Sequence, residues 1–533
     1  MRVLGILLMV IGALVGGSGG YVAATYVQPG DWVVGRAGVA NPGGEPVVVS
    51  LYGLLSFDTD LRVSATSDKG DVFVGAANPI DVDDYTAGVK HATLTSLSLN
   101  GLTAKSDPGT SDLPAAANNL DFWVAHASGA SEQSVIIPGQ GDPAQAVIIG
   151  TGTITARVDY RIPGAYPLVI AAIALGAILF LFGLFLLLRK NRRGPTPAAA
   201  ETPAAQTDAP PATTPGPLPP AARLIAGLVA LSLVASVSGC SVPRIPAPRK
   251  VPDRAAVTKV PLTSQQAVAL GADYSARNNV ALTQSAAPTF DEKVWDNVDS
   301  EVLLESDRFS TAYVKFSNDS SAPTSCTTTV EQVYPSLSSA YPLSAIVSAR
   351  WDCGSDPGVN FNVFTKEHTY SPWRLGAQVH VASMTGLDPT TALPTSDDVL
   401  IGTAAANDLL GYINTGEAGS VKVADFENLR QSQLEETSYS TSSITAAILE
   451  TASGPAIRTV KAGTGLVTLV TYREVVTQAA KPGSYVSWSD PYDKVYNQAG
   501  RRQTLVRPYG VVVALRTEAG ATSVIAWHWR LLP

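Results

Sequence analysis

The residues best suited to chemistry are three cysteines, five histidines and a short run of carboxylates, and their spacing limits what each can do. Cys240 ends the stretch Val237-Ser238-Gly239-Cys240, where an apolar run closes on small residues. That is the pattern of a bacterial lipobox, whose cysteine thiol receives a lipid. Cys326 and Cys353 remain, so the three cysteines divide into one lipid acceptor and one disulfide. A disulfide makes sense only in an oxidising compartment. No two of His91, His126, His368, His380 and His528 stand at metal-ligand spacing, and neither HExxH nor Cys-x-x-Cys occurs. His528 alternates with Trp527 and Trp529 and is expected on the opposite face of their sheet. Ser18 sits in a Gly-x-Ser-x-Gly pattern, but inside an apolar stretch without the strand-turn-helix of a nucleophile elbow. Asp81, Asp83 and Asp84 lack the spacing and glycine of an EF-hand, so they read as capping or solvated carboxylates at a helix start. No catalytic residue, metal or cofactor is predicted.

The elements around these residues set the address. The chain opens on Arg2 and about 25 apolar residues, enough to cross a bilayer. Residues 1–27 are therefore a transmembrane helix, or a secretory signal with Val22-Ala23-Ala24 as a weak cleavage site. Gly12, Gly16 and Gly20 recur at four-residue spacing, which favours a retained helix with a close partner. Residues 166–188 are apolar without a charge and run into Arg189, Lys190, Arg192 and Arg193. A basic cluster against a helix end marks the cytoplasmic side, so residues 28–165 lie outside. The Pro- and Ala-rich stretch within 189–223 reads as an extended cytoplasmic linker.

The next apolar run, Leu224–Val237, has 14 residues behind Arg223, short for a span but suited to a signal core. It explains why an export signal lies mid-chain: the second span has returned the chain to the cytoplasm. Two readings stay open for 224–240, a lipobox cleaved before Cys240 or an uncut third membrane helix. Both send the rest of the chain outside.

Residues 28–165 alternate apolar and polar positions in short runs punctuated by Gly, Pro, Asn and Asp, the mark of a small antiparallel β-sandwich. Within it, "GDVFVGAANPIDVDDYTAGVKHATLTSLS" and then "FWVAHASG", followed by a membrane helix, resemble a family of uncharacterised actinobacterial membrane proteins. The resemblance covers roughly residues 45–190 and implies an extracytoplasmic β domain with no known catalysis.

After the tether 241–262, Thr263-x-x-Gln266 is a capping-box pattern opening a helix. "DEKVWDNVDSEVLLES" suggests a second helix, and strands follow, beginning with "FSTAYVKF". Set as a hairpin, "CTTTVEQVY" and "AIVSARWDC" bring Cys326 opposite Cys353, with Thr328 facing Trp351, Val330 facing Ala349 and Glu331 facing Ser348. The pattern then repeats: Thr403 caps "AAANDLLGYIN", "VADFENLRQSQLEE" makes another helix, and strands close the chain. In the last hairpin Val511, Val513 and Leu515 share a face with Ile525, Trp527 and Trp529. Helices first and a curved sheet after, twice over, resembles two tandem NTF2-like (cystatin-like cone) domains, 263–395 and 396–533. The second copy, with "YGVVVALRTEAGATSVIAW", is also similar to exported domains of actinobacterial lipoproteins. NTF2-like cones often enclose an apolar pocket.

A formal charge of −8 with no extended basic face argues against nucleic acid. The partners expected are the lipid bilayer and an envelope protein or small apolar ligand. The leading expectation is a non-catalytic, membrane-anchored binding module of the cell envelope. The alternatives are an envelope hydrolase or isomerase using a cone pocket, and two proteins, 1–239 and 240–533, released by signal cleavage.

Overall fold

The structure, a computed structural model, describes residues 2–189 and 257–533 except 36, 42–43, 50–58, 99–100, 140–143, 318, 355–357, 418, 435, 490 and 499. Cys240, the lipobox residues Val237, Ser238 and Gly239, and Lys190, Arg192 and Arg193 lie outside the described residues. The chain forms two compact bodies. One takes residues 1–78, 88–112 and 123–252; the other takes 79–87, 113–122 and 253–533. The β domain expected over 28–165 thus gives up two segments to the second body.

The first body begins with α1 (Arg2–Thr25). After α2 (Pro79–Tyr85), which belongs to the second body, it ends with α3 (Ala165–Leu188). Both α1 and α3 have 24 residues and are apolar enough to cross a membrane. They pair antiparallel through glycines. A Cβ on Gly12 would stand 2.5 Å from Phe180 N and 2.6 Å from Gly176 O, and one on Gly5 would stand 2.8 Å from Gly183 O. Only a bare backbone permits that approach. The buried glycines of α1 are Gly5, Gly12 and Gly19, facing a seam that holds Gly176 and Gly183. Their spacing is seven rather than the four expected, because two turns return a residue to the same side of a straight helix pair. Gly16 does meet Gly176, but Gly20 has nothing within 4 Å. The outward sides expose Val3, Ile6, Val10 and Leu14 on α1, and Ile178, Leu181, Phe185 and Leu188 on α3. Asp31 caps α3, accepting from Gly164 N and Tyr166 N at 3.0 Å each.

Two six-stranded sheets complete this body. Leu61–Ser67 and Ile154–Arg161 are central to one, and Val72–Ala77 and Gln145–Gly150 to the other. Alternate residues meet in one core: Leu61, Val63, Ile154, Ala156 and Val158 from the first sheet, Val72, Val74, Ala146 and Ile148 from the second. It is a sandwich, but Val47–Val49 pairs parallel with His91–Ser98, so the antiparallel expectation fails there. The strands His91–Ser98 and Gln133–Ile137 form where the apolar–polar alternation predicts none.

The second body is built in four layers. Helices α4 (Ser264–Ser285) and α5 (Glu301–Ser317) cover a sheet of β1 (Thr327–Tyr334), β2 (Leu343–Asp352), β3 (Gly358–Lys366) and β4 (Arg374–His380), in that order. Leu270, Tyr274, Leu303, Val347, Phe364 and Leu375 fill this space. A second pair, α6 (Ser396–Thr415) and α7 (Ala424–Gln433), covers a longer sheet. Its strands are β5 (Val421–Lys422), β6 (Ser440–Ile448), β7 (Ile457–Ala462), β8 (Gly465–Ala480), β9 (Thr504–Glu518) and β10 (Ala521–Leu531). Between β8 and β9 lies the single-turn helix α8 (Tyr492–Val495). The two sheets pack against each other through Ile346, Phe361 and Val379 on one side and Val467, Leu469, Val512 and Ala514 on the other. The order of layers is helix, sheet, sheet, helix.

Local departures have physical reasons. Residues 309–316, expected as a strand, continue α5: Val302, Leu303, Ser306 and Phe309 are buried at helical spacing, which outweighs the β-prone composition. The second helix expected over 291–306 is broken, because Asp299 pairs with Leu375 as an isolated bridge between a 3-10 turn and α5. Helix α6 starts at Ser396, not after Thr403. Thr395 and Asp398 form its capping box, and Thr403 sits inside the helix with its hydroxyl on Val399 O. Thr263 and Gln266 do form the expected box on α4.

Candidate functional site

The hairpin of β1 and β2 carries the Cys326–Cys353 disulfide, with Cα atoms 4.2 Å apart. Thr328 faces Trp351 and Val330 faces Ala349 in the expected register. A bulge at Glu331 then shifts the pairing, and Ser348 faces Gln332 instead. A bulge in the last hairpin does the same: Val511 and Val513 face Trp529 and Trp527, but Leu515 faces Val524 rather than Ile525. Ile525 turns to the core between the sheets.

Of the carboxylates expected to cap or face water, Asp83 is exposed, but Asp81 and Asp84 have a different task. Asp81 on α2 is 2% exposed, with Lys259 Nζ at 2.6 and 2.7 Å and the Tyr341 hydroxyl donating at 2.7 Å. Lys259 is itself pinned by mutual backbone bonds to Ser338. Asp84 accepts from Thr369 N and Oγ1 and lies 3.0 Å from His368 Nδ1. Nearby, Lys366 reaches Asp121 at 3.4 Å. The Tyr85 ring is fully buried and its hydroxyl donates to Ala115 O. A cavity of about 290 Å³ lies beside Ile80, Asp84, Val257 and Tyr341. Opening a buried pair such as Asp81–Lys259 costs about 3–5 kcal/mol, because the remaining charge is left desolvated.

A second cluster runs from α4 to β10. Tyr274 donates to Asp299 Oδ1 at 3.0 Å, and the Asp307 carboxyl is a close acidic neighbour of Asp299. Arg530 stands 3.6 Å from Asp307 and donates to Gln378 at 3.3 Å. Burial, then the neighbouring Asp307, holds Asp299 well above the usual carboxylate range; burial raises Asp307 too, against Arg530. On the same strand face His528 is pushed down to about 4 by burial, then by Arg530 and His380. It is neutral at neutral pH.

The third cluster lies under α6 and α7 on the outer face of the long sheet. Glu474 is 1% exposed, and burial pushes its pKa up to about 7 against a hydrogen bond with Gln433. Among the described residues its Oε1 and the hydroxyl of Tyr472 have no hydrogen-bond partner, and Val470, Val476 and Tyr509 lie on the same face. Two unpaired polar atoms in an apolar space call for a water or a ligand group. An acid poised near 7 can take or give a proton at neutral pH. His528, as the alternation implied, faces the other side of the sheet with Val512 and Ala526, so it does not join Glu474.

A cleft of about 650 Å³ opens beside the start of α6, lined by Ile401, Ser420, Leu466, Thr517 and the Asp398–Lys461 ion pair at 3.1 Å. Among the described residues no three His, Cys, Asp or Glu side chains are grouped to hold a metal ion. Arg189, from the basic stop, closes α3 by donating its backbone N–H to Phe185 O at 2.9 Å. Neither the α2 contacts nor Glu474 was found from sequence. The signal for Glu474 is there: the β-branched run "LVTLVTYREVV" carries two adjacent charges, Arg473 and Glu474, and alternation puts one of them on each face of the strand. Compared with protein-family models, curated proteins and solved structures, the chain matches none.

Proposed function

We propose that this protein is a membrane-anchored binding module of the cell envelope, with residues 28–165 and 263–533 on the outer side. One observation carries the reading: Asp81 and Lys259 touch, yet α3 separates them in the chain. If α1 and α3 both cross the bilayer, the chain leaves α3 on the side where it began. It must then cross again between 189 and 257 to bring Lys259 to Asp81. The one apolar run available there is Leu224–Val237. At 1.5 Å per residue it spans only about 21 Å as a helix, which suits a signal core ending at a lipid-bearing Cys240. The disulfide agrees with an oxidising exterior.

Each helix-then-sheet half of the second body is read as an NTF2-like cone, and the buried polar groups of Glu474 and Tyr472 as those that would face a ligand in the second. A hydrolase or isomerase is the second reading, favoured by the Glu474 pKa near 7. A protease added to intact cells tests the topology. Residues 263–533 should be digested before lysis, and their protection until lysis would overturn the proposal.

A further inference from the structure

We infer that residues 79–87 with 113–122 form a clasp that holds segment 253–533 to the membrane-anchored part of the chain even when the linker is cut. The clasp rests on the proposed export of 253–533, since its two sides meet only in one compartment. The contacts are those of an interface. Three separate stretches of 253–533 reach the clasp: Lys259, Tyr341 and the turn carrying Lys366, His368 and Thr369. Each presents a donor, and Asp81, Asp84 and Asp121 supply the acceptors. Charge complementarity is therefore one-sided, acidic on the early segments and donor-rich on the later ones.

The apolar side chains agree. Ile80, Val82 and Tyr85 of α2 are all buried, and the seven-residue helix lies in the second body although the strands flanking it in sequence lie in the first. Lys259 stands 19 residues beyond Cys240. Cleavage before Cys240 would therefore leave both sides of the clasp intact. The two products would stay together as a two-chain assembly rather than part as independent proteins.

The test uses the full-length protein in detergent, with a site-specific protease sequence placed within 194–222 and a tag at each end. After cutting, the two fragments should co-elute in size exclusion. Asp81→Lys with Asp84→Lys should weaken their association by at least about 100-fold, the loss expected for opening a buried charge pair. Adding Lys259→Asp to Asp81→Lys should recover part of the association, which a merely misfolded variant would not do. Separation of the unsubstituted fragments would overturn the inference, as would variant fragments that co-elute as tightly as the parent. The outcome is independent of the topology test. Fragments that hold together while 263–533 proves protected in cells would sink the topology alone, and fragments that part while 263–533 is digested would sink the clasp alone.

Discussion

Replacing Glu474 by Gln should stabilise the second body, by an amount set by pH. The carboxyl is nearly inaccessible, and its pKa rises from the ordinary 4.5 to about 7. Because the folded value is the higher one, the folded state binds the proton more tightly than the unfolded chain. The favourable contribution is complete below about 4.5 and is lost as pH climbs through about 7. Over the full interval the loss is about 3 kcal/mol, roughly 2 kcal/mol of it already at pH 6 and under about 1 kcal/mol at pH 5. The amide carries no charge at any of these values and can still bond with Gln433. The advantage of Glu474→Gln should therefore be small at pH 5 and grow to about 3 kcal/mol at pH 8. Urea unfolding of the full-length protein in detergent, followed by tryptophan fluorescence at pH 5, 6 and 8, measures it. A variant equally stabilised at every pH, or destabilised at pH 8, would refute the reasoning. The first result would mean that the carboxyl is not titrating in this range, and the second that it is held ionised by groups the geometry does not contain.

Two further outcomes follow from the packing. Gly12→Leu should drive α1 and α3 apart, because its Cβ alone would lie 2.5 Å from the Phe180 backbone, whereas Gly17→Leu, with nothing within 4 Å, should leave the pair intact. Heat-induced aggregation in detergent separates the two variants, and equal behaviour would contradict the glycine seam. Removing the disulfide by Cys326→Ala with Cys353→Ala should lower stability by about 3.5 kcal/mol, from the 27-residue separation the bond closes. Urea unfolding with and without reductant reads this loss.

Elements with a strong period were legible in the sequence. The β1–β2 register could be set by one apolar and one polar face, and it holds from Thr327 to Val330. It fails at Glu331, because an inserted residue leaves no mark on alternation until the partner strand is known. The glycines of α1 announced a helix pair, but their four-residue spacing pointed to Gly20 when the contact line runs through Gly5, Gly12 and Gly19. Which of several glycines forms the seam depends on where α3 lies, and that is tertiary information. Asp81 and Asp84 show the deeper limit. Acidic residues at the start of a short helix carry the same local signature whether they cap it, face water or bind a lysine 178 positions later. The box at Thr395 departs from the usual sequence pattern, because its partner is Asp398 rather than a Glu or Gln.

The distance in sequence between α2 and its partners imposes a delay on synthesis. Asp81 leaves the ribosome 178 residues ahead of Lys259 and 260 ahead of Tyr341. At about 5–20 residues per second, the first of these gaps lasts roughly 9–36 s. Throughout it Asp81 has no counter-charge, although Tyr85 already has the Ala115 carbonyl and the Phe122 ring as neighbours. A ribosome that stalls or a transcript that ends early therefore yields a product carrying an uncompensated acidic segment. Such a segment would let chaperones and proteases tell the incomplete chain from the finished one.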